Sequence, residues 1–223
     1  MKRVSNGWLC AAALAAMAAP MSAAATIDVS PKDAKVGAEV TSIKVVNNGN
    51  RTEYVSVTLS RLLNPGVPLE DEHLEPVGDA ARPALYAYPF QMSLAPGQGK
   101  TIKLKVMRPV AKETVYRLEV RPVVKLLGSD RGHSSAAVVA NLAFSNIVRQ
   151  LPPTAREGLA VTCEASGARL NATGNVHYRV EGAEVDGRRL DEFNVYPDVP
   201  RVLAGATVMV PGHPACRGAT RDR

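Results

Sequence analysis

The stretch Ser42–Leu59, "SIKVVNNGNRTEYVSVTL", is the clearest guide to the fold class of this chain. Both of its ends are rich in β-branched residues, and apolar and polar side chains alternate there with the period of two that is typical of a half-buried strand. Between them lies Asn47–Asn50, whose Asn and Gly content is typical of a turn. The stretch therefore predicts two strands joined by a short loop, within an all-β protein.

Similar alternating runs recur along the chain after this first pair. They comprise Lys100–Val106, which follows an Ala-Pro-Gly turn signal, and the longer runs Val115–Leu127 and Ala136–Gln150, which the polar loop Gly128–Ser135 connects. With the shorter runs included, the count is about seven strands in residues 26–152, which is typical of an immunoglobulin-like β-sandwich. No stretch of useful length in this part shows helical periodicity.

The sequence Leu151-Pro152-Pro153 marks a domain boundary, because proline cannot donate to a sheet ladder and two in a row make a stiff, extended hinge. Further strand-like runs follow it, and Asp186-Gly187 is a hairpin signal. These runs are Leu159–Ala165, Asn175–Val180, Asp191–Val195 and Ala206–Val210. The predicted fold is all-β, with two immunoglobulin-like β-sandwich domains joined by a short Pro-Pro hinge. They are expected to comprise residues 26–152 and a smaller domain of residues 153–223.

Residues 1–25 have the features of a secretory signal peptide. Lys2 and Arg3 form a positive start, Trp8–Ala19 is an apolar run too short for a comfortable membrane span, and Ala23–Ala25 offers small residues for cleavage. An N-terminal membrane anchor is the alternative. The signal interpretation predicts a protein that is exported to a compartment outside the cytoplasm after cleavage near Ala25.

Charge and cysteine content fit such a compartment. The formal net charge is +6, and loss of Lys2 and Arg3 leaves a mildly basic chain whose positive residues are scattered, which argues against nucleic-acid binding. One of the three cysteines leaves with the signal peptide. Cys163 and Cys216 remain, and a pair in an oxidising compartment predicts one disulfide in the second domain.

Signatures of enzymes and cofactors are incomplete. Gly99-Lys100-Thr101 matches the end of a phosphate-binding loop, but Leu94 stands where its first glycine is required and a strand follows it, so no nucleotide is expected. The four histidines lack metal-ligand spacing, and surface or packing roles are expected for them: His73, His133, His177 and His213. The sequence predicts no catalytic residues, no metal and no cofactor, and thus a protein that is not an enzyme.

Four segments carry a resemblance to a known family. In order and spacing, "VVNNGNRTEYVSVTLSRLLNPG", "LAPGQGKTIKL", "KETVYRLEVRPV" and "NLAFSNIVRQLPP" resemble the N-terminal domain of periplasmic pilus-assembly chaperones of the chaperone/usher pathway. The Val-Arg-x-Leu-Pro ending is most similar to the alternate branch that serves colonisation-factor and cable-type pili. Arg117 departs from the family pattern, in which an aromatic residue is expected at that place. The resemblance covers most of residues 26–153.

The resemblance implies that the protein binds pilus subunits by donating a strand, and that it delivers them to an outer-membrane usher. The donated strand would be residues 136–150, whose side chains would enter the open core of the pilin. Period-two geometry places four candidate side chains on one face, namely Val138, Ala140, Leu142 and Phe144. The alternative is that this face packs into the core of its own domain.

The family also anchors the carboxylate at the C-terminus of the pilin with two basic residues, one from the last strand and one from the first. The resemblance assigns the first of these roles to Arg149, because a guanidinium can hold a carboxylate with two parallel hydrogen bonds. Lys32 and Lys35 are both candidates for the second role, and the sequence does not choose between them.

Two functions of other classes are the alternatives. A secreted structural pilus or surface protein with immunoglobulin-like domains would be expected to have an N-terminal extension of alternating apolar residues, whereas Thr26–Val29 leads almost directly into a turn. A secreted hydrolase on a β scaffold would need a converging set of acid, base and nucleophile, which the sequence does not provide.

Overall fold

The computed structural model describes residues 26–37, 40–123 and 143–218. The predicted signal peptide, residues 1–25, lies outside the described residues, and so do residues 136–142 of the predicted donor strand. Apart from two 3₁₀ turns at Leu69–Asp71 and Val77–Asp79, the regular structure of the described ranges consists of strands. These ranges contain no helix long and apolar enough to cross a membrane.

In the described ranges the first domain has ten strands, more than the sequence patterns indicated. They are β1 (Ile27–Ser30), β2 (Asp33–Val36), β3 (Thr41–Asn47), β4 (Glu53–Leu62), β5 (Leu74–Pro76), β6 (Leu85–Tyr88), β7 (Gln91–Leu94), β8 (Gly99–Val106), β9 (Thr114–Pro122) and β10 (Phe144–Gln150). One sheet has the order β1-β3-β8-β6. The other has the order β2-β10-β9-β4-β5, and β7 also pairs with β4.

Alternation along the strands places the core between these two sheets. In β4 the inward positions are Val55, Val57 and Leu59, which face Ile43 and Ile102 of the opposite sheet within one apolar cluster. Burying a side chain of this size stabilises the fold by about 1.5–3 kcal/mol. The alternation predicted from Ser42–Leu59 is therefore confirmed, and it is what closes the sandwich.

The first strands of the chain change sheets. β1 pairs antiparallel with β3, whereas β2 pairs in parallel with β10 in the other sheet. The Cα partners in this second pairing include Asp33 with Ile147 and Lys35 with Arg149. The change of sheet at Pro31 thus places the start of the chain beside the last strand of the domain.

The second domain is built from shorter strands around a separate core. Its strands are β11 (Leu159–Glu164), β12 (Gly167–Ala172), β13 (Tyr178–Val180), β14 (Glu184–Val185), β15 (Arg188–Arg189), β16 (Phe193–Val195), β17 (Arg201–Ala204), β18 (Thr207–Met209) and β19 (Cys216–Arg217). They form three small sheets, with the orders β11-β12-β17, β13-β16 and β15-β14-β18-β19. The two separate cores confirm the predicted pair of β-sandwiches, and the exact division at Pro152 and Pro153 stays a prediction.

The predicted disulfide is present in this second domain. Cys163 and Cys216 are bonded, with their Cα atoms 5.2 Å apart. The bond links β11 to β19, which belong to different sheets, across a separation of 53 residues. It therefore ties the beginning of the domain to its end.

The turns predicted at Ala95-Pro96-Gly97 and at Asp186-Gly187 agree with the backbone. Gly97 has φ +71°, and β8 starts directly after this turn, at Gly99. Asp186 and Gly187 have φ +51° and +77° and connect β14 to β15, as expected for a tight hairpin in which both central residues have positive φ.

Two strand predictions were wrong in their extent. The run Val115–Leu127 was expected to be one strand, but β9 ends at Pro122. The run Asn175–Val180 was expected to begin a strand, but β13 starts only at Tyr178. Instead, Asn175 Oδ1 accepts from the backbone N–H of Arg156 at 2.7 Å, and Asn175 Nδ2 donates to the Thr154 carbonyl at 2.9 Å. These two hydrogen bonds stabilise the segment that follows the Pro-Pro hinge.

Candidate functional site

Arg149 lies at the end of β10, on the face that turns away from the core of the first domain. Val148 and Gln150 on the other face are buried, and the Gln150 amide oxygen accepts a hydrogen bond from the Tyr116 hydroxyl at 3.2 Å. Ile147, on the same face as Arg149, packs against an apolar cluster that the two domains share. The pleat of β10 therefore directs Arg149 towards the junction of the domains, where its side chain is only 10% exposed.

All three nitrogens of the Arg149 guanidinium have partners in this structure. Nε donates to Asp33 Oδ1 at 3.1 Å, and Nη2 pairs with Asp33 Oδ2. Nη1 lies 3.1 Å from Nε2 of His177, a residue of the second domain. Asp33 thus binds the guanidinium with both carboxylate oxygens, and His177 holds it from the opposite side.

His177 connects Arg149 to a buried glutamate. Oε2 of Glu113 accepts from the backbone N–H of His177 and from its ring Nδ1, each at 2.7 Å. With Nδ1 donating to the carboxylate, Nε2 has a lone pair free to accept from Arg149, so the geometry assigns the neutral tautomer with its proton on Nδ1. The side chain of Glu113 is fully buried, and its Oε1 has no hydrogen-bond partner among the described residues.

An apolar contact supports this polar network. Leu62 and Val115 of the first domain pack with Tyr196 of the second, and Ile147 and Val199 pack against them. A cavity of about 660 Å³ opens beside this contact, with lining residues from both domains that include Glu113 and Tyr196. At its rim Lys112 Nζ lies 2.7 Å from Asp198 Oδ1, an ion pair across the junction. Of the network residues, Glu113 lines this cavity, while Arg149 and His177 come from the two domains and meet beside it. The Arg149 network therefore lies at the junction of the domains, and the space between the domains there is called the cleft.

The two lysine candidates occupy different positions. Lys35 is exposed, is in register with Arg149, and has no ion-pair partner among the described residues. Lys32 directly precedes β2 and is not in register with Arg149. It pairs with Asp28 at 3.6 Å, and its Nζ lies 5.3 Å from the centre of the Phe144 ring. Lys35 is thus the lysine whose backbone lies opposite Arg149, and its role as an anchor stays a prediction.

Phe144 is the one predicted donor residue that the structure describes, since Val138, Ala140 and Leu142 lie outside the described residues. It is half-buried and packs against the core of its own domain. For Phe144, this packing agrees with the alternative interpretation, in which the candidate donor face packs into the core of its own domain. Nothing in the described part tests the donation of the other three side chains.

The sheet has an open edge at the start of β10. β2 covers β10 only over Ile147–Gln150, and among the described residues Phe144–Asn146 pair with β9 alone. The amide of Ile147 donates to the Lys32 carbonyl at 3.0 Å, which points towards β2. By alternation the backbone N–H and C=O of Ser145 point to the same side, where β2 no longer reaches. An extended chain could therefore pair with β10 there.

Sequence analysis missed three residues of this network. Asp33 stands between the two lysine candidates in "PKDAKV" and was not considered, His177 was expected to have only a surface or packing role, and Glu113 was noted only as part of a motif. The spacing of Asp33 and Lys35 did carry a signal for Asp33, because residues two apart on a strand lie on the same face. It places Asp33 on the face of one of the lysine candidates. The contact of His177 with Glu113 across the domains has no such local signal.

Comparison with known proteins supports this architecture. No family model matches the chain. A curated relative from Escherichia coli, whose name describes it as a CS1 fimbrial subunit, is 23% identical over 145 residues, which are 63% of this chain and 60% of the relative. The chain thus spans about 60% of the length of the curated relative that it matches.

Solved structures extend the likeness to both domains. The class 5 fimbriae chaperone CfaA aligns with a TM-score of 0.64 at 19% identity, covering 82% of this chain and 90% of that one. A chain from the chaperone–tip adhesin complex of CFA/I fimbriae biogenesis aligns with a TM-score of 0.63, also at 19% identity, and covers 83% of this chain and 90% of that one. The chain therefore has the two-domain immunoglobulin-like fold of the fimbrial chaperones, class 5 among them.

Proposed function

We propose that this protein is a periplasmic chaperone that binds pilus subunits, holds them in an incompletely collapsed state and delivers them to an outer-membrane usher. The open edge of β10, which leads into a cleft with a buried guanidinium, is the observation on which this proposal rests. An unpaired edge is normally protected because it invites aggregation. An edge that a partner strand covers, with Arg149 at its end, is instead a binding surface.

The fold likeness supports the identity of the partner. One of the similar structures is named for a chaperone–tip adhesin complex, and CfaA is named as a fimbriae chaperone. We infer that the predicted donor strand, residues 136–150, pairs with the pilin over its positions before Ile147, and that Val138, Ala140 and Leu142 insert side chains into it. The carboxylate at the C-terminus of the pilin then binds in the cleft, with Arg149 on one side and Lys35 on the other.

The proposed action is not enzymatic and takes place in the periplasm. Strand pairing and carboxylate binding need no bond cleavage, nucleotide or metal ion. Side-chain insertion of three or four apolar groups contributes several kcal/mol before ordering costs are subtracted, at about 25 cal/mol per Å² of apolar area. Export follows from the predicted signal peptide, with cleavage near Ala25.

Co-expression with a pilin encoded beside this chain tests the proposal. The mature chain should copurify with the pilin as a one-to-one complex, and Arg149→Ala should weaken that complex at least about tenfold, because a buried guanidinium–carboxylate pair is lost. Arg149→Lys, which keeps the charge but loses the planar fork, should weaken it less. Arg121→Ala is the matched control, since Arg121 is an exposed arginine of β9 that pairs with Glu119.

One observation favours a second candidate function. The E. coli relative is named as a fimbrial subunit, which corresponds to the alternative of a structural pilus protein with immunoglobulin-like domains. In that case the protein should be found within isolated pili. A chain that assembles into fibres, and forms no one-to-one complex with any neighbouring pilin, would replace the chaperone proposal by this alternative.

A further inference from the structure

Arg149 already binds a carboxylate in the structure of the chain alone. Nε and Nη2 face the two oxygens of Asp33, in the forked geometry with which a guanidinium binds any carboxylate. This is the same geometry that a terminal carboxylate of a partner would need. Asp33 therefore occupies the position that the proposed function assigns to the ligand.

The two members of this ion pair differ in their freedom to move. The Arg149 side chain is 10% exposed and is also held by His177, whereas the Asp33 side chain is 47% exposed. Among the described residues the Asp33 carboxylate has no hydrogen-bond or ion-pair partner other than Arg149. A rotation of Asp33 into solvent would release the guanidinium without disturbing the packing of the cleft.

Exchange of one carboxylate for another avoids a large electrostatic cost. A buried charge left without a partner is strongly destabilising, so Asp33 should leave only when another anion arrives. Lys35 lies on the same face of β2, two residues from Asp33, and its exposed ammonium can neutralise whichever carboxylate is displaced towards solvent. The exchange conserves the charge around Arg149.

We propose that Asp33 is an internal competitor in the cleft, a carboxylate that holds Arg149 until the terminal carboxylate of a bound chain replaces it. This inference rests on the proposed function. A neutral chain end, such as an amide, cannot compensate the guanidinium and leaves Asp33 in place. Asp33 thereby lowers the affinity for a chain that ends in a free carboxylate and does not change the affinity for a chain with a neutral end.

The test uses the mature full-length chain and a short N-acetylated peptide of alternating valine and threonine, made as the free acid and as the C-terminal amide. Binding is measured by fluorescence anisotropy with a labelled peptide. Asp33→Asn removes the competing charge at nearly constant shape, so it should increase the affinity for the free acid about tenfold and leave that for the amide unchanged. Asp33→Glu, which keeps the competitor, should behave like the wild type.

Asp28→Asn is the matched control, because it removes one exposed carboxylate from the neighbouring strand β1 that pairs with Lys32 and does not touch Arg149. It should leave both affinities unchanged. The resonance of the Arg149 Nε–H group, assigned by its loss in Arg149→Lys, should shift in Asp33→Asn and stay in place in Asp28→Asn. This readout reports the pairing directly, even where affinities are weak.

The outcomes separate this inference from the proposed function. If both peptides bind and Asp33→Asn changes their affinities equally or not at all, Asp33 does not compete for the site and the inference is wrong. If no folded variant binds either peptide, the proposed strand binding is wrong, and the inference that rests on it is wrong as well. A gain for the free acid alone supports both.

Discussion

At the residue scale, the chemistry of the cleft depends on side chains whose partners come from distant parts of the chain. His177 is the clearest case, because one ring nitrogen faces Arg149 and the other faces Glu113, both residues of the first domain. Removing the ring would leave the buried carboxylate of Glu113 with one hydrogen bond fewer and the guanidinium without its second support. The network therefore links local hydrogen bonding to the relative placement of the domains.

His177→Ala should lower the free energy of unfolding by about 1–3 kcal/mol, the usual cost of leaving a buried polar group unsatisfied. Urea denaturation, followed by circular dichroism, measures the change. His73→Ala is the control, because within the described ranges the hydrogen bonds of this residue involve only its backbone. Equal, small effects of the two substitutions would contradict a stabilising role for the network.

Tyr116 gives a prediction on pH at the same scale. Burial raises the pKa of its phenol above 10.0, although the nearby positive charges of Arg61 and Arg108 oppose the shift. The folded chain thus holds this proton more tightly than the unfolded chain, and stability must fall as the pH rises above about 10. Below that pH the contribution is fully present.

Tyr116→Phe should therefore flatten the loss of stability above about pH 10, which urea titrations at each pH would measure. Tyr88→Phe is the matched control, since Tyr88 is an exposed tyrosine of β6. If the wild type and Tyr116→Phe lose stability in parallel as the pH rises, this phenol does not contribute to the loss of stability at alkaline pH.

At the element scale, β10 serves two purposes along its length. Its second half lies between β2 and β9 and helps to close the sheet, whereas Phe144–Asn146 have β9 as their only strand neighbour in the described ranges. Backbone direction alternates, so the amide of Ser145 points to the open edge and that of Asn146 points to β9. Neighbouring positions should thus respond differently to the same substitution.

Ser145→Pro should leave the first domain folded and abolish binding of the pilin, because proline removes an amide that only a partner strand would use. Asn146→Pro is the contrasting variant, since it removes an amide directed to β9 and should destabilise the sheet. Thermal unfolding and copurification with a pilin measure the two effects. Retained binding by a folded Ser145→Pro variant would place the partner strand elsewhere.

At the scale of the molecule as a whole, the two domains are stabilised in different ways. The first has a continuous apolar cluster between two sheets, which its long alternating strands provide. The second has strands of two to six residues and a smaller cluster, and its disulfide connects its ends. A small core with short strands is the situation in which a covalent link contributes most.

Replacing both Cys163 and Cys216 by serine should therefore destabilise the second domain selectively. Closing a loop of this separation is worth about 4 kcal/mol in the chain-entropy account. Hydrogen exchange resolved by residue should show faster exchange in β11 and β12 and unchanged protection in β4 and β9. A uniform loss across both domains would mean that the disulfide supports the molecule as one cooperative unit.

The fold class, the two β-sandwiches, the turns at Gly97 and Asp186-Gly187, and the disulfide could all be predicted from the amino-acid sequence. Each of these depends on local patterns or on simple counting: period-two alternation, residues that tolerate positive φ, and the pair of cysteines that remains once the predicted signal peptide is removed. The resemblance of the segment "NLAFSNIVRQLPP" to the chaperone family also identified Arg149 as a candidate carboxylate-binding residue.

The contacts of Arg149, in contrast, depend on the tertiary fold. The change of sheet at Pro31 puts Asp33 and Lys35 beside β10, and the hinge puts His177 against Glu113, so that residues separated by more than a hundred positions form one site. Short alternating patterns do not encode which strand is the neighbour of which, because pairing depends on the packing of both sheets and on loop closure. The partners of the guanidinium could for that reason be identified only once both domains were folded around it.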